Sequence, residues 1–96
     1  MIKKPKKKTI HPYLIELGFE IKKLRLEKGL SLERVGSEIG IDGSNLQKIE
    51  LGNNITIQTL LKLCICLSVS PSEMLSNIKG YSTFSRALKR GRRLNV

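Results

Sequence analysis

The sequence predicts an all-α fold: a compact bundle of five short helices that carries a basic extension at each end. Apolar residues recur at intervals of three and four, which is the spacing that lines one face of a helix. Glycines and N-capping residues divide this pattern into short segments. The chain has 96 residues, enough for one domain, and a lysine- or arginine-rich stretch without acidic residues lies at either end.

The first predicted helix runs from Pro12 to Lys28. Proline suits the first turn of a helix, where its missing N–H group would have no intrahelical partner. Gly29 has the residue type that follows the last helical turn, and Lys28 suits the negative end of the helix dipole. The apolar stripe expected to face the core consists of Leu14, Leu17, Ile21 and Leu24.

A pair of short helices follows, joined by a tight turn at Gly40. The first is predicted at Leu32–Ile39, with Ser31 as its N-cap. The second is predicted at Gly43–Leu51, with Asp42 as its candidate N-cap. Two short helices that cross through a turn of small residues form a helix-turn-helix. The residues of this pair that face inward are Val35, Ile39, Leu46, Ile49 and Glu50.

Two further helices complete the expected bundle. Thr56 caps a helix predicted at Ile57–Leu67, which carries most of the remaining apolar residues. A capping box, Ser70-Pro71-Ser72-Glu73, starts the last helix, which is predicted at Pro71–Ile78. The residues of these two helices that we expect in the core are Leu60, Leu61, Leu63, Cys64, Leu67, Met74, Leu75 and Ile78.

Many residues between positions 17 and 76 match one known family in register. They are Leu24, Arg25, Lys28 to Ser31, Val35, Gly40, Ile41, Leu46, Ile49, Glu50, Gly52, Leu60 to Leu67 and Val69 to Leu75. This stretch resembles the phage-repressor family of helix-turn-helix regulators, of the Cro, lambda-repressor and Xre type. The resemblance implies a lambda-repressor-like fold and sequence-specific binding of double-stranded DNA. It further implies a transcriptional regulator of a bacterium, a phage or a mobile element, with repression as the expected direction.

By this resemblance, the second helix of the pair enters the major groove with its outward side chains. Gln47 can read adenine or guanine edges, and Lys48 can donate to guanine O6 and N7 or to a phosphate. Asn53 and Asn54 come after this helix, where they either contact phosphates, as the resemblance implies, or form a turn. The predicted DNA-binding residues of this region are Gly43, Ser44, Asn45, Gln47, Lys48, Asn53 and Asn54.

The resemblance also implies a structural ion pair between Arg25 and Glu50, which would fix the first helix against the DNA-reading helix. The alternative is that the two residues are unrelated surface charges. Glu50 lies on the inward face of its predicted helix, and this position favours the pair.

Charge is concentrated at the two ends of the chain. The formal net charge is +10, yet residues 9–78 hold seven basic and eight acidic side chains. Residues 1–9 are predicted to be a disordered basic arm that neutralises phosphates, the alternative being a merely solvated end. The helix-turn-helix domain is predicted at residues 10–79. The lysines of the arm are Lys3, Lys4, Lys6, Lys7 and Lys8.

Residues 80–96 are predicted to be a basic, amphipathic C-terminal tail outside the resemblance. On a helix, one face of this tail would hold Tyr81, Phe84, Ala87 and Leu88, and the basic residues Arg86, Lys89 and Arg90 would lie off that face. Four interpretations stay open: packing on the core of its own chain, pairing with a second copy, contact with DNA, or a frayed end.

The sequence contains no set of residues suited to catalysis or to metal binding, so we predict neither an enzyme nor a cofactor. The single histidine, His11, supplies no catalytic triad. Cys64 and Cys66 lack the ligand spacing of a zinc site and are interpreted as small buried hydrophobes. No apolar run has membrane-spanning length. Reduced cysteines and DNA binding together predict a cytoplasmic, nucleoid-associated protein.

Double-stranded DNA is the predicted partner, and a homodimer is expected because a domain of roughly 70 residues is only marginally stable alone. The alternative function is a protein-interaction module, such as an antitoxin component or an adaptor, that docks a protein partner through Leu51 and the tail. The near-neutral charge of residues 9–78 favours this alternative, whereas the helix-turn-helix pattern favours DNA.

Overall fold

The structure, a computed structural model, describes residues 11–79, which form five helices and contain no strand. The predicted arm (residues 1–9) and tail (residues 80–96) lie outside the described residues. The all-α, five-helix prediction is therefore confirmed over the part of the chain that is described. The helices are α1 (Pro12–Glu27), α2 (Leu32–Ile39), α3 (Gly43–Glu50), α4 (Ile57–Leu67) and α5 (Pro71–Leu75).

Helix α1 ends one residue before the predicted boundary, because Lys28 is its C-cap. Gly29 follows with a φ of 69°, in the left-handed region that favours glycine. The Leu30 N–H group donates back to the Arg25 carbonyl at 3.1 Å, and the Gly29 N–H group donates to the Leu26 carbonyl at 2.9 Å. These two bonds are those of a Schellman motif, which satisfies the last carbonyl groups of the helix.

The turn between α2 and α3 depends on two glycines. Gly40 has a φ of 84° and reverses the chain. The Ile41 N–H group then donates to the Gly36 carbonyl at 2.8 Å. A Cβ atom on Gly36 would lie 2.6 Å from the Ile41 carbonyl oxygen, so the close approach of the turn requires glycine there. Gly36 thus has a packing role that offsets its low helix propensity.

Helix α3 begins where predicted, with Asp42 at its N-cap, but it differs from the prediction in its last residue and in the contacts of the cap. The helix ends at Glu50 rather than at Leu51, which is the C-cap. Asp42 occupies the N-cap position with extended backbone, but its side chain accepts no capping hydrogen bond. By contrast, the Ser31 hydroxyl accepts from the Arg34 N–H group at 3.0 Å, as expected for the cap of α2.

Helices α4 and α5 begin as predicted. The Thr56 hydroxyl accepts from the Thr59 N–H group at 3.1 Å. At the start of α5, the Ser70 hydroxyl accepts from the Glu73 N–H group at 3.1 Å, and the Glu73 carboxylate accepts from the Ser70 N–H group at 2.9 Å. Both bonds of the predicted capping box are therefore present.

Helix α5 stops at Leu75, three residues before the predicted end at Ile78. The Ser76 hydroxyl donates to the Glu73 carbonyl oxygen at 2.9 Å and so competes with continuation of the helix. Leu75 and Leu61, both expected in the core, are instead exposed, at 42% and 43% respectively, because the core formed by the five helices does not extend over them. Ile78 is half-buried against the core.

One apolar core joins all five helices. Its six fully buried large side chains are Ile21, Val35, Leu46, Leu63, Leu67 and Met74. Gly18 of α1 lies against the carboxyl end of α3, and a Cβ atom there would come within 2.5 Å of the Ile49 carbonyl oxygen. The two helices can therefore approach this closely only because residue 18 is glycine. None of the helices in residues 11–79 is long and apolar enough to cross a membrane.

Candidate nucleic-acid interface

Helix α3 is held by its inner face. Leu46 is fully buried, Ile49 packs against the core, and the carboxylate of Glu50 points inward to Arg25. Because a helix repeats every 3.6 residues, fixing these three side chains inward turns the intervening positions toward solvent. The inner contacts thus decide which residues of α3 are presented outward.

The expected ion pair between Arg25 and Glu50 is present and nearly inaccessible to solvent. The Arg25 Nε donates to Glu50 Oε2 at 2.7 Å, and Nη2 donates to Oε1 at 3.0 Å. The exposed fractions of the two side chains are only 7% and 3%. The hydrogen bond to Glu50 is the main reason why the pKa of Arg25 is raised above its ordinary value. A two-bond, buried contact of this kind fixes the orientation of α3 relative to α1.

The same guanidinium also fixes the loop before α2. The Arg25 Nη1 donates to the Leu30 carbonyl oxygen at 2.7 Å. One side chain therefore joins α1, the loop that leads into α2, and the inner face of α3. The helix-turn-helix is positioned as a unit by this contact together with the apolar core.

Four of the predicted DNA-binding side chains lie together on the outer face of α3. Ser44, Asn45, Gln47 and Lys48 are all exposed. Within residues 11–79, these four side chains form no hydrogen bond or ion pair with the rest of the chain. Their donors and acceptors are consequently available to an external ligand.

Gly43, the remaining predicted position on α3, is half-buried and has no side chain. A Cβ atom at this position would lie 3.4 Å from the carboxylate of Glu33 on α2, so the space beside it is already bounded by α2. Gly43 can offer a ligand its backbone N–H group alone.

The amino end of α3 presents backbone donors. The first hydrogen bond of the helix runs from the Leu46 N–H group to the Asp42 carbonyl at 3.0 Å. The N–H groups of residues 43–45 precede this bond and point out of the helix end. Since the side chain of Asp42 does not cap them, this positive end of the helix dipole remains suited to an anion such as a phosphate.

The loop after α3 uses part of its hydrogen-bonding capacity internally. The Asn53 N–H group donates to the Lys48 carbonyl at 3.0 Å, and Gly52 has a φ of 111°. The Asn54 Oδ1 accepts from the Ile55 N–H group at 2.8 Å. The turn-forming interpretation of these asparagines is thus observed. The Asn53 N–H group is therefore already used within the loop, whereas the carboxamide NH₂ groups of both asparagines can still be offered to a phosphate.

The described residues carry no net charge. Residues 11–79 contain eight basic and eight acidic side chains. Arg34 is already paired with Glu38 at 2.9 Å on the surface of α2. Long-range attraction to a polyanion must therefore come mainly from the ends of the chain, where the arm lysines lie outside the described residues.

The two cysteines differ in their surroundings. Cys64 is buried, and burial raises its pKa. Both observations agree with the prediction that Cys64 is a small buried hydrophobe. Cys66 is half-buried, and its Sγ donates to Glu38 Oε1 at 3.1 Å, which links α4 to α2. Burial, followed by this hydrogen bond, raises the pKa of Cys66 to about 11. Among residues 11–79 no three potential metal ligands lie together.

Gly18, which the sequence pattern did not single out, sets how closely α1 approaches α3. A glycine inside a predicted helix costs about 1 kcal/mol relative to alanine, so its presence in the buried half of α1 was a usable signal of close packing. Leu51, exposed at the end of the outer face of α3, was predicted as a possible protein contact and lies where such a contact could form.

Comparison with known proteins assigns the family. A family model described as helix-turn-helix matches residues 21–74, more than half of the chain. The restriction-modification controller protein C.AhdI from Aeromonas hydrophila is 34% identical in sequence, with 64% of this chain and 94% of that chain covered and a TM-score of 0.61. The wild-type controller protein C.Esp1396I is 30% identical, with 74% and 95% covered and a TM-score of 0.62.

A third similar structure is the clp gene regulator ClgR from C. glutamicum, at 21% identity and a TM-score of 0.68, with 77% of this chain and 96% of that chain covered. At that identity the likeness concerns the fold alone. No curated protein sequence gives a significant match. With the family model, the two controller proteins and the buried Arg25–Glu50 contact in agreement, the chain belongs to the Cro- and Xre-type helix-turn-helix family of DNA-binding transcriptional regulators.

Proposed function

We propose that this protein binds a specific sequence of double-stranded DNA through the outer face of α3 and thereby represses transcription. The observation that carries the proposal is the exposed set Ser44, Asn45, Gln47 and Lys48, presented by a helix whose inner face is fixed by the Arg25–Glu50 pair. A helix of this width fits the major groove, and its amino-terminal residues reach the base edges.

The chemistry of these side chains suits base recognition. The Gln47 carboxamide can form two hydrogen bonds with adenine N6 and N7, and Lys48 can donate to guanine O6 and N7. Each good contact of this type discriminates against a wrong base by about 1–3 kcal/mol. Ser44 and Asn45 are short and stand at the helix end, where they contact either a base or a phosphate.

The remaining contacts supply affinity. The amino end of α3 and the carboxamides of Asn53 and Asn54 would bind phosphates beside the groove. The five arm lysines would neutralise further phosphates, each contributing about 0.9 to the slope of log affinity against log salt. Such a protein acts in the cytoplasm, on the nucleoid. The similarity to two restriction-modification controller proteins favours an operator in a bacterial or mobile-element gene set.

A homodimer belongs to the same proposal. Ile57, Leu61 and Ile65 recur every fourth residue on α4 and are all exposed, which gives a continuous apolar stripe. Burying this stripe against a second copy would also place two α3 helices on one duplex, at half-sites about 34 Å apart. We expect a dimer in light scattering after size exclusion, and a monomer when Ile65 is replaced by Glu. A monomer at every concentration and on DNA would contradict the dimer.

The test of base recognition is selection of bound sequences from a random duplex pool, followed by fluorescence anisotropy at two salt concentrations. We expect Gln47→Ala and Lys48→Ala to weaken the selected site by about 5–100-fold and to relax preference at one base position each. Lys22→Ala, which removes an exposed lysine from α1, serves as the matched charge control. Equal weakening on selected and random duplexes by all three variants would refute base reading by α3.

The arm has a separate test. Replacing all five arm lysines by alanine should weaken selected and random duplexes alike and lower the salt slope by up to about 4–5. Base preference should stay unchanged, because phosphate contacts carry no sequence information directly.

A protein-interaction module remains the second candidate, favoured by the exposed Leu51 next to the outer face of α3 and by the neutral charge of residues 11–79. Under this alternative, Leu51→Ser abolishes capture of a protein partner. If the protein is only an interaction module, the purified wild-type protein should also fail to select any duplex from the random pool, even at low salt.

A further inference from the structure

An apolar strip on α1 faces away from the core. Ile15 and Phe19, one helical turn apart, keep exposed fractions of 49% and 65%, respectively. Leu26, eleven residues after Ile15 and so within about 20° of it around the helix, is also exposed. A phenylalanine this exposed is unusual on a small domain unless another element covers it.

A groove lies beside Ile15 and Phe19, next to the end of the described chain. Ile15, Phe19 and Glu20 line one side, and Asn77 and Lys79 line the other. The Lys79 backbone N–H group donates to the carboxylate of Glu16 at 2.5 Å, so the end of the described chain is fastened to α1. The described chain therefore ends at the edge of the groove.

The next residues have the pattern that such a groove fits. At 100° per residue, Tyr81, Phe84 and Leu88 fall within about 60° of one another, and Ala87 lies beside them. A helix from Tyr81 to Leu88 is about 10 Å long, less than the roughly 16 Å that separate Ile15 from Leu26 along α1. The length of the tail and its starting point thus allow it to cover the strip.

Charge favours the same arrangement. Residues 80–96 contain five basic and no acidic side chains. Glu16 and Glu20 both line the groove, where Glu20 forms an ion pair with Lys23 at 3.8 Å and Glu16 accepts the hydrogen bond from the Lys79 N–H group. A cationic segment laid along α1 would meet these carboxylates at its margins, which adds attraction to the burial of the apolar face.

We infer that residues 81–88 dock as a helix on α1 of the same chain and cover Ile15 and Phe19 with Tyr81, Phe84 and Leu88. The tail is then a sixth element of the folded domain, and its apolar face is committed to the outer face of α1 rather than to a partner. This inference does not depend on DNA binding, since every contact that it names lies within one chain.

A double-mutant cycle in the full-length protein tests the docking. Phe19→Ser and Phe84→Ser should each lower the Tm by about 5 °C or more, whereas Leu51→Ser, on an exposed leucine of the α3 C-cap, should lower it by less than about 2 °C. The double variant should melt close to the less stable single variant, because either change alone undoes the same contact. Two small shifts, or two shifts that simply add, would overturn the inference.

Limited trypsin digestion supplies a second readout that does not depend on heating. Cleavage after Arg86 should be at least about tenfold slower than cleavage among the arm lysines, and Phe19→Ser should remove that protection. The protection should be unchanged by a 100-fold dilution. Protection that is lost on dilution would mean that the tail of a second copy occupies the groove, which would overturn docking within one chain. Equal cleavage rates at Arg86 and among the arm lysines would mean that the tail is not docked at all. A Phe84→Ser variant that alters only DNA affinity would likewise overturn docking on α1.

Discussion

Replacing either member of the Arg25–Glu50 pair is the most demanding test of how α3 is positioned. The two side chains share hydrogen bonds of 2.7 and 3.0 Å and are 7% and 3% exposed. Removing one partner leaves the other charge buried, and such a change costs on the order of 3–5 kcal/mol. Arg25→Ala belongs near the upper end, because it also removes the 2.7 Å bond to the Leu30 carbonyl.

The double variant should lose much less than the sum of the two single losses. With both charges gone, no unpaired charge remains inside, and only a cavity and the orphaned Leu30 carbonyl are left. We therefore expect a coupling energy of about 2–3 kcal/mol. Urea unfolding followed by far-ultraviolet circular dichroism measures each free energy of unfolding. Because a small domain has only about 5–15 kcal/mol in total, the titrations should begin in a buffer that holds the single variants folded.

The surface pair Arg34–Glu38 provides a matched control. It joins the same residue types at 2.9 Å, but its side chains are 65% and 44% exposed. Water already solvates both charges, so Arg34→Ala should change the free energy of unfolding by less than about 1 kcal/mol. Glu38→Ala is a less suitable control, because it also removes the hydrogen bond from Cys66. If the buried pair behaved like this exposed pair, or if its two single losses added, the Arg25–Glu50 contact could not be what fixes α3.

Changes at four further residues test the rest of the framework. Gly18→Ala should destabilise by about 1–3 kcal/mol in chemical denaturation despite the better helix propensity of alanine, because its Cβ atom would meet the Ile49 carbonyl oxygen at 2.5 Å. Ser31→Ala should cost about 1 kcal/mol through its lost cap, whereas Asp42→Ala should cost little, since no capping bond exists there. Cys66, with a pKa of about 11, should react with iodoacetamide at pH 8 about 100-fold more slowly than an exposed thiol, and urea should abolish this protection. Because folding raises this pKa, the protonated thiol contributes its full stabilisation below about pH 9, and the contribution is lost as the pH rises toward 11. The free energy of unfolding should therefore fall more between pH 8 and pH 11 in the wild type than in Cys66→Ala.

Helix starts could be predicted from the sequence because a local interaction decides them. Ser31, Thr56 and Ser70 each accept a hydrogen bond from the N–H group three residues later, and all three helices begin where expected. Asp42 carries the same kind of signal and marks the right position, yet its side chain makes no such bond. A residue of the capping type therefore marks where a helix starts, but it does not determine whether its own side chain accepts the hydrogen bonds of the first N–H groups of that helix.

Helix ends and surface exposure were harder to predict, because they depend on contacts that sequence neighbours do not determine. Helix α5 stops at Leu75 because the Ser76 hydroxyl turns back to the Glu73 carbonyl, a contact that competes with one more turn. Leu61 fits the apolar period of α4 but stays 43% exposed, since only part of the circumference of α4 packs on the bundle. The role of Gly18 emerges only when α1 and α3 are brought together.

We expect the outer face of α3 and the ends of the chain to have separable roles, because the positive charge lies mainly in the ends and the exposed polar face lies on α3. Residues 11–79 are neutral and present four polar side chains on a rigidly held helix, which is suited to distinguishing bases but supplies little long-range attraction. We expect the arm lysines to supply that attraction for any duplex sequence. If the tail docks on α1, its basic residues lie beside Glu16 and Glu20, where part of their charge is compensated. Neutralising the tail should then alter the salt slope less than neutralising the arm, although each end carries five positive charges outside the described residues.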